Sequence, residues 1–111
     1  MQHRLQDEVG LELARRVAAQ LRQRPELLQV AHDNLANWLR QNSGAPSLVR
    51  CYEEWKNLLV RPLPEICDLL CADTEESCRL RQNSPFAGIL PPAEVWAVKA
   101  AIRQRHAKTA A

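Results

Sequence analysis

Four cysteines and three histidines are the side chains of this 111-residue sequence with the widest chemical repertoire. Their spacing decides how much of it is open to them. Cys67 and Cys71 stand four apart, which puts both sulfurs on one face of a helix, and Cys78 returns seven residues later beyond a turn. Three thiolates with Cys51 or a histidine as fourth ligand would meet the coordination number of zinc, but the spacing is not that of a zinc ribbon or finger. Small buried hydrophobes are the better reading of these cysteines, so neither a metal nor a cofactor is expected. A nucleophilic enzyme needs a thiol or hydroxyl matched to a base, yet His3 and His106 fall in segments expected to be tails. His32 and Asp33 are neighbours in a helical stretch, where side chains diverge by about 100° and do not face each other. Gly10, Gly44 and Gly88 are too far apart for a phosphate loop. The sequence therefore reads as that of a protein that is not an enzyme.

The elements that hold these residues read as helices throughout. Leu5, Val9, Leu13, Val17 and Leu21 recur every four residues, with Ala14 and Ala18 on the same side, which predicts an amphipathic helix over 5–23. Gly10 within it costs about 1 kcal/mol relative to Ala, so the first turns are expected to fray or the helix to begin after it. Pro25 starts a second helix carrying Leu28, Ala31, Leu35, Trp38 and Leu39, and Asn42 to Pro46 is a loop in which Gly44 suits a helix C-cap. Ser47 can cap a third helix to about Val60, striped by Leu48, Tyr52, Trp55 and Leu59. A short fourth helix follows the Arg61–Pro64 linker with Ile66, Cys67, Leu69 and Leu70, and Asp73-Thr74 begins a fifth. The last helix runs from Pro92 to about Arg105, carrying Val95, Trp96, Val98 and Ile102.

Between the fifth and last helices lies the most committed stretch of the chain. Asn83 and Ser84 stop one helix, Pro85 forbids its continuation, and Phe86, the sole phenylalanine, comes next. Ala87-Gly88 allows a tight turn or a close backbone approach, Ile89 and Leu90 need apolar cover, and Pro91-Pro92 leads into the next helix. One reading makes Phe86, Ile89 and Leu90 an apolar plug that fixes the angle of the last helix. The other makes Phe86 or Trp96 the hot spot of a partner-binding surface.

The run Leu80-Arg81-Gln82-Asn83-Ser84-Pro85-Phe86-Ala87-Gly88-Ile89-Leu90, followed by Pro92, Glu94 and Trp96, resembles a signature of small bacterial proteins encoded beside toxins of the minimal nucleotidyltransferase kind. Tyr52-Glu53-Glu54-Trp55 and Leu63-Pro64 are similar to the same family, so the resemblance covers roughly the second half of the chain. It implies an antitoxin. The chain lacks the Gly-Ser motif and paired aspartates of a nucleotidyltransferase, so what it resembles is the partner of such an enzyme.

Composition sets the frame. A hydrophobic fraction of 46% with 25% charged residues is ordinary for a globular domain, and three glycines argue against a turn-rich β architecture. No apolar run reaches the ~20 residues that span a bilayer, and MQHRLQDEVG is not a signal peptide, so a cytoplasmic location without membrane contact and with reduced thiols is expected. The net charge of +2 conceals a division. Residues 51–76 hold seven carboxylates against Lys56 and Arg61, whereas 79–111 hold six Lys/Arg against Glu94.

These readings converge on a single all-α domain, a compact bundle of five to six helices spanning 1–111 with loose tails at 1–4 and 106–111. Its core is expected to contain Leu28, Leu35, Trp38, Tyr52, Trp55, Ile66, Leu70, Phe86, Leu90, Trp96 and Ile102. The functional expectation is an antitoxin-like protein that binds and neutralises a cognate toxin, using Arg79, Arg81, Phe86, Trp96, Arg103 and Arg105. The alternatives are a DNA-binding transcriptional regulator acting on operator DNA and a helical inhibitor or adaptor of another protein. A homodimer is compatible with each. A helix-turn-helix reader at 66–80 is disfavoured because Glu75 and Glu76 would meet phosphates.

Overall fold

The computed structural model describes residues 2–110. Among them are six α-helices and no strand: α1 (Gln2–Gln23), α2 (Leu28–Gln41), α3 (Pro46–Leu58), α4 (Leu63–Cys71), α5 (Glu75–Arg81) and α6 (Pro92–Ala110). A 3-10 turn, Pro25–Leu27, links α1 to α2. This is the all-α bundle that the helical periodicity predicts. Among the described residues no helix is long and apolar enough to cross a membrane.

The central element is α1, which packs against α4, α5 and α6. Its four-residue repeat buries Ala14, Val17, Ala18 and Leu21, and the two alanines leave room for close neighbours. One apolar cluster joins this stripe to Ala31 and Leu35 of α2, Tyr52 and Trp55 of α3, Ile66, Cys67 and Leu70 of α4, Leu80 of α5, and Phe86 and Leu90 beyond it. The rim of this core is formed by Leu28 and Trp38, which are only partly buried, with the Trp38 ring 5.6 Å from that of Tyr52. Trp96 is a clear correction: at 65% exposure it is not a core residue at all. The inward stripe of α6 is instead Val95, Val98 and Ile102, and Trp96 is out of phase with it.

Several helix ends differ from the sequence-based expectation. The backbone of α1 is helical from Gln2 through Gly10, because its first half lies antiparallel to α6 and is tied to it at Glu8. Likewise α6 continues past Arg105: His106 Nε2 lies 3.0 Å from Glu8 Oε2, and the Thr109 hydroxyl donates to the Arg105 carbonyl. The loose tails expected at 1–4 and 106–111 are thus helical from Gln2 through Ala110. Met1 and Ala111, the ends of those expected tails, lie outside the described residues. The third helix starts at Pro46, with Pro in the first turn, so Ser47 is not its cap. Gly44 does not adopt a left-handed conformation; Ala45 N–H instead donates to the Asn42 carbonyl to close that turn. The fifth helix begins where Asp73-Thr74 is expected to start it, and Thr74 is the cap, its hydroxyl accepting from Ser77 N–H at 3.1 Å.

Candidate functional site

The segment between α5 and α6 is held from three sides. From α3, Trp55, 1% exposed, donates its indole N–H to the Leu80 carbonyl at 2.9 Å and meets the Phe86 ring edge-on, with centroids 5.6 Å apart at 87°. From α2, the Asn34 amide donates to the carbonyls of Pro85 at 2.8 Å and Ala87 at 3.0 Å. The chain there has left the helix and makes few backbone bonds of its own, so these carbonyls need an outside donor. The third tie is Arg81, whose Nη1 reaches the Leu70 and Ala72 carbonyls at the C-terminal end of α4. Pro85 is fully buried, and Gly88 supplies the turn with φ of +93°. A Cβ at Gly88 would meet nothing within 4 Å, so its role is the turn rather than a close approach.

Three of the six residues expected to bind a partner are therefore engaged within the fold. Phe86 is 4% exposed, and an exposed anchor at that position is ruled out by its burial. Arg81 is occupied with backbone carbonyls, which leaves it a positioning group for α4 and α5. Arg79 forms a two-pronged pair with Glu54 of α3, Nη1–Oε1 and Nη2–Oε2 both 3.0 Å. The guanidinium holds the Glu54 carboxyl below its ordinary value.

The other three are all on α6. Trp96 is exposed, and Lys99 Nζ sits 5.2 Å from the centre of its ring, in cation–π range. Arg103 is exposed one further turn along the same flank, and Arg105 is also exposed. Lys99 and Lys108 belong with them and were missed; the 3-4 spacing of Trp96, Lys99 and Arg103 is the signal that could have found Lys99. No carboxylate follows Glu94 in the sequence, and Glu94 itself is held by Arg16 of α1 at 3.2 Å.

A second feature was invisible in the sequence. An apolar groove of about 240 Å³ opens where α1 meets the junction and the start of α6, lined by Gly10, Leu13, Val17, Phe86, Leu90 and Val95 among others. It combines residues far apart in the chain, including a helical glycine whose missing side chain leaves the space open.

Among the described residues the side chains with catalytic or metal-binding potential meet at most in pairs, such as Cys78 with Asp7 and His106 with Glu8. All four cysteines are free thiols. Cys67 is fully buried against α1 with its sulfur 3.9 Å from the Ala18 carbonyl, and burial pushes its thiol up. Cys78 donates to the Asp7 carboxylate at 3.1 Å, a bond that also raises its pKa. Asp33 accepts from Gln29, one turn back, rather than meeting His32. Among the described residues no three His, Cys, Asp or Glu side chains gather as a metal site.

No family model matches the chain, and no curated protein and no solved structure matches it.

Proposed function

We propose that this protein is a non-enzymatic, antitoxin-like binding protein that recognises and neutralises a cognate toxin of the nucleotidyltransferase type implied by the resemblance. One observation carries the reading. Of the residues that make up the resembling string, Pro85, Phe86 and Leu90 are buried, Gly88 forms a turn and Glu94 ties α6 to α1, so each has a task within the fold. Trp96 has none. A tryptophan 65% exposed adds little to the stability of its own fold, and tryptophan is among the residue types enriched at the hot spots of protein–protein contacts.

The DNA-binding alternative has less support. The two short helices α4 and α5 present Glu75 and Glu76 on the exposed first turn of the would-be reading helix. Charge of that sign opposes a phosphate backbone.

Co-expression with the product of the neighbouring gene tests the proposal. The expected result is a stable complex on size-exclusion chromatography and rescue of growth from that product's toxicity. Absence of both the complex and the rescue overturns it.

A further inference from the structure

The outward face of α6 carries two kinds of side chain that the rest of the fold leaves unused. The helix turns Val95, Val98, Ile102 and His106 toward α1, at spacings of three and four, and leaves the opposite side to solvent. On that side Trp96 is largely bare. Lys99, Arg103 and Lys108 form no ion pair among the described residues, as is also true of Arg50, Lys56 and Arg61 on other elements, while Arg105 lies toward α1, where it acts on the Glu8 carboxyl. With no acid after Glu94, the face has an uncompensated positive charge beside an exposed aromatic ring.

We infer that the outer face of α6, centred on Trp96 and flanked by Lys99, Arg103 and Lys108, docks an acidic amphipathic helix of a partner protein. The inference rests on the protein-binding reading above and adds to it the surface and the chemistry of what covers it. Charge selects the occupant: the three cations Lys99, Arg103 and Lys108 attract carboxylates, and a second copy meeting the same face would bring like charge against like. The surface between the charged flanks selects a protein over a nucleic acid. Ala97 and Ala100 offer methyl groups there, which apolar side chains of a second helix can cover and a phosphate backbone cannot. They also allow helix axes to approach to about 8 Å, the close end of the usual range. The exposed strip from Ala93 to Ala107 is about 21 Å long at helical rise, room for about four turns of a second helix.

The test uses the full chain and four labelled probes: a synthetic helical peptide with Glu on both flanks of an Ala/Leu seam, the same peptide with Lys for Glu, a short DNA duplex, and phosphatidylglycerol vesicles. Tightest binding to the acidic peptide is expected, weakened about tenfold or more by Trp96→Ala and by Arg103→Glu, and unchanged by Arg50→Glu at an exposed position of α3. Equal binding of the two peptides overturns the inference, as does tighter, Trp96-dependent binding of the duplex or the vesicles. A dimer in sedimentation that Trp96→Ala dissociates overturns it too, since the face would then be covered by a second copy. The same variants in the co-expression experiment separate the two proposals. A toxin complex indifferent to Trp96→Ala and Arg103→Glu removes this surface but keeps the antitoxin reading. Loss of that complex in the wild type removes the antitoxin reading, while the peptide probes still judge the surface.

Discussion

The junction from Leu80 to Leu90 and the outer face of α6 sit next to each other in the sequence, contain the two most conspicuous aromatic residues of this half of the chain, and are built in opposite ways. In the junction every unusual residue has a partner: Phe86 has Trp55, the Pro85 and Ala87 carbonyls have Asn34, and Arg81 has the end of α4. On α6, Trp96 touches Lys99 and is mostly open to water, and Lys99, Arg103 and Lys108 form no ion pair among the described residues. The comparison teaches that distinctiveness of sequence is a poor guide to where a partner binds. A Pro-Phe-Ala-Gly run is memorable because an irregular buried turn tolerates few residue types, and that constraint is internal. A binding face on a regular helix is written mostly in alanine, lysine and arginine, which any solvated helix also uses.

Truncating side chains in the two regions should expose this difference. The largest effect is expected in the junction. Phe86→Ala removes a buried ring and its edge-on contact with Trp55, and should lower stability by ~3–5 kcal/mol in urea denaturation. Against the 5–15 kcal/mol typical of a domain, roughly, that is a large share. A loss below about 1 kcal/mol would mean the junction is not part of the core. Asn34→Ala is next: it strips two carbonyls of their donor and should cost about 1–3 kcal/mol, with faster hydrogen exchange in residues 84–90. Gly88→Ala forces a side chain into φ of +93° and should cost about 1 kcal/mol although space is free around it. Gly10→Ala gives the matched comparison. It too would meet nothing within 4 Å, but it lies in a helix, so the same substitution should raise stability by about 0.5–1 kcal/mol.

Much of the architecture could be read from the sequence because the helices repeat cleanly. The four-residue stripe of α1, the Asp73-Thr74 start of α5 and the Pro92 start all rest on local chemistry, and local chemistry is what a sequence displays. The misplaced residues have a shared cause. Trp96 and Phe86 are both large and apolar, and composition alone assigns both to the core; only the phase of α6, fixed by Val98 and Ile102 against α1, turns one of them outward. Arg79 and Arg81 read as free positive charge until the fold brings Glu54 and the end of α4 to them across at least nine residues of chain. The groove beside Gly10 has no local signal because its walls come from α1, the junction and α6 together.

The smallest stability effect is expected at Trp96, and it is the sharpest test of the contrast. Trp96→Ala removes more side-chain volume than Phe86→Ala, yet the ring is already 65% in water, so little apolar surface is lost from cover and no cavity forms. The cation–π contact with Lys99 is exposed as well and adds no more than about 1 kcal/mol. Unfolding should therefore shift by only about 0.5 kcal/mol, within the range of ordinary surface substitutions, with an unchanged denaturant slope. A loss approaching that of Phe86→Ala would show that Trp96 is buried in the free protein. The two regions would then share one structural role, and α6 would lose its claim to a separate one.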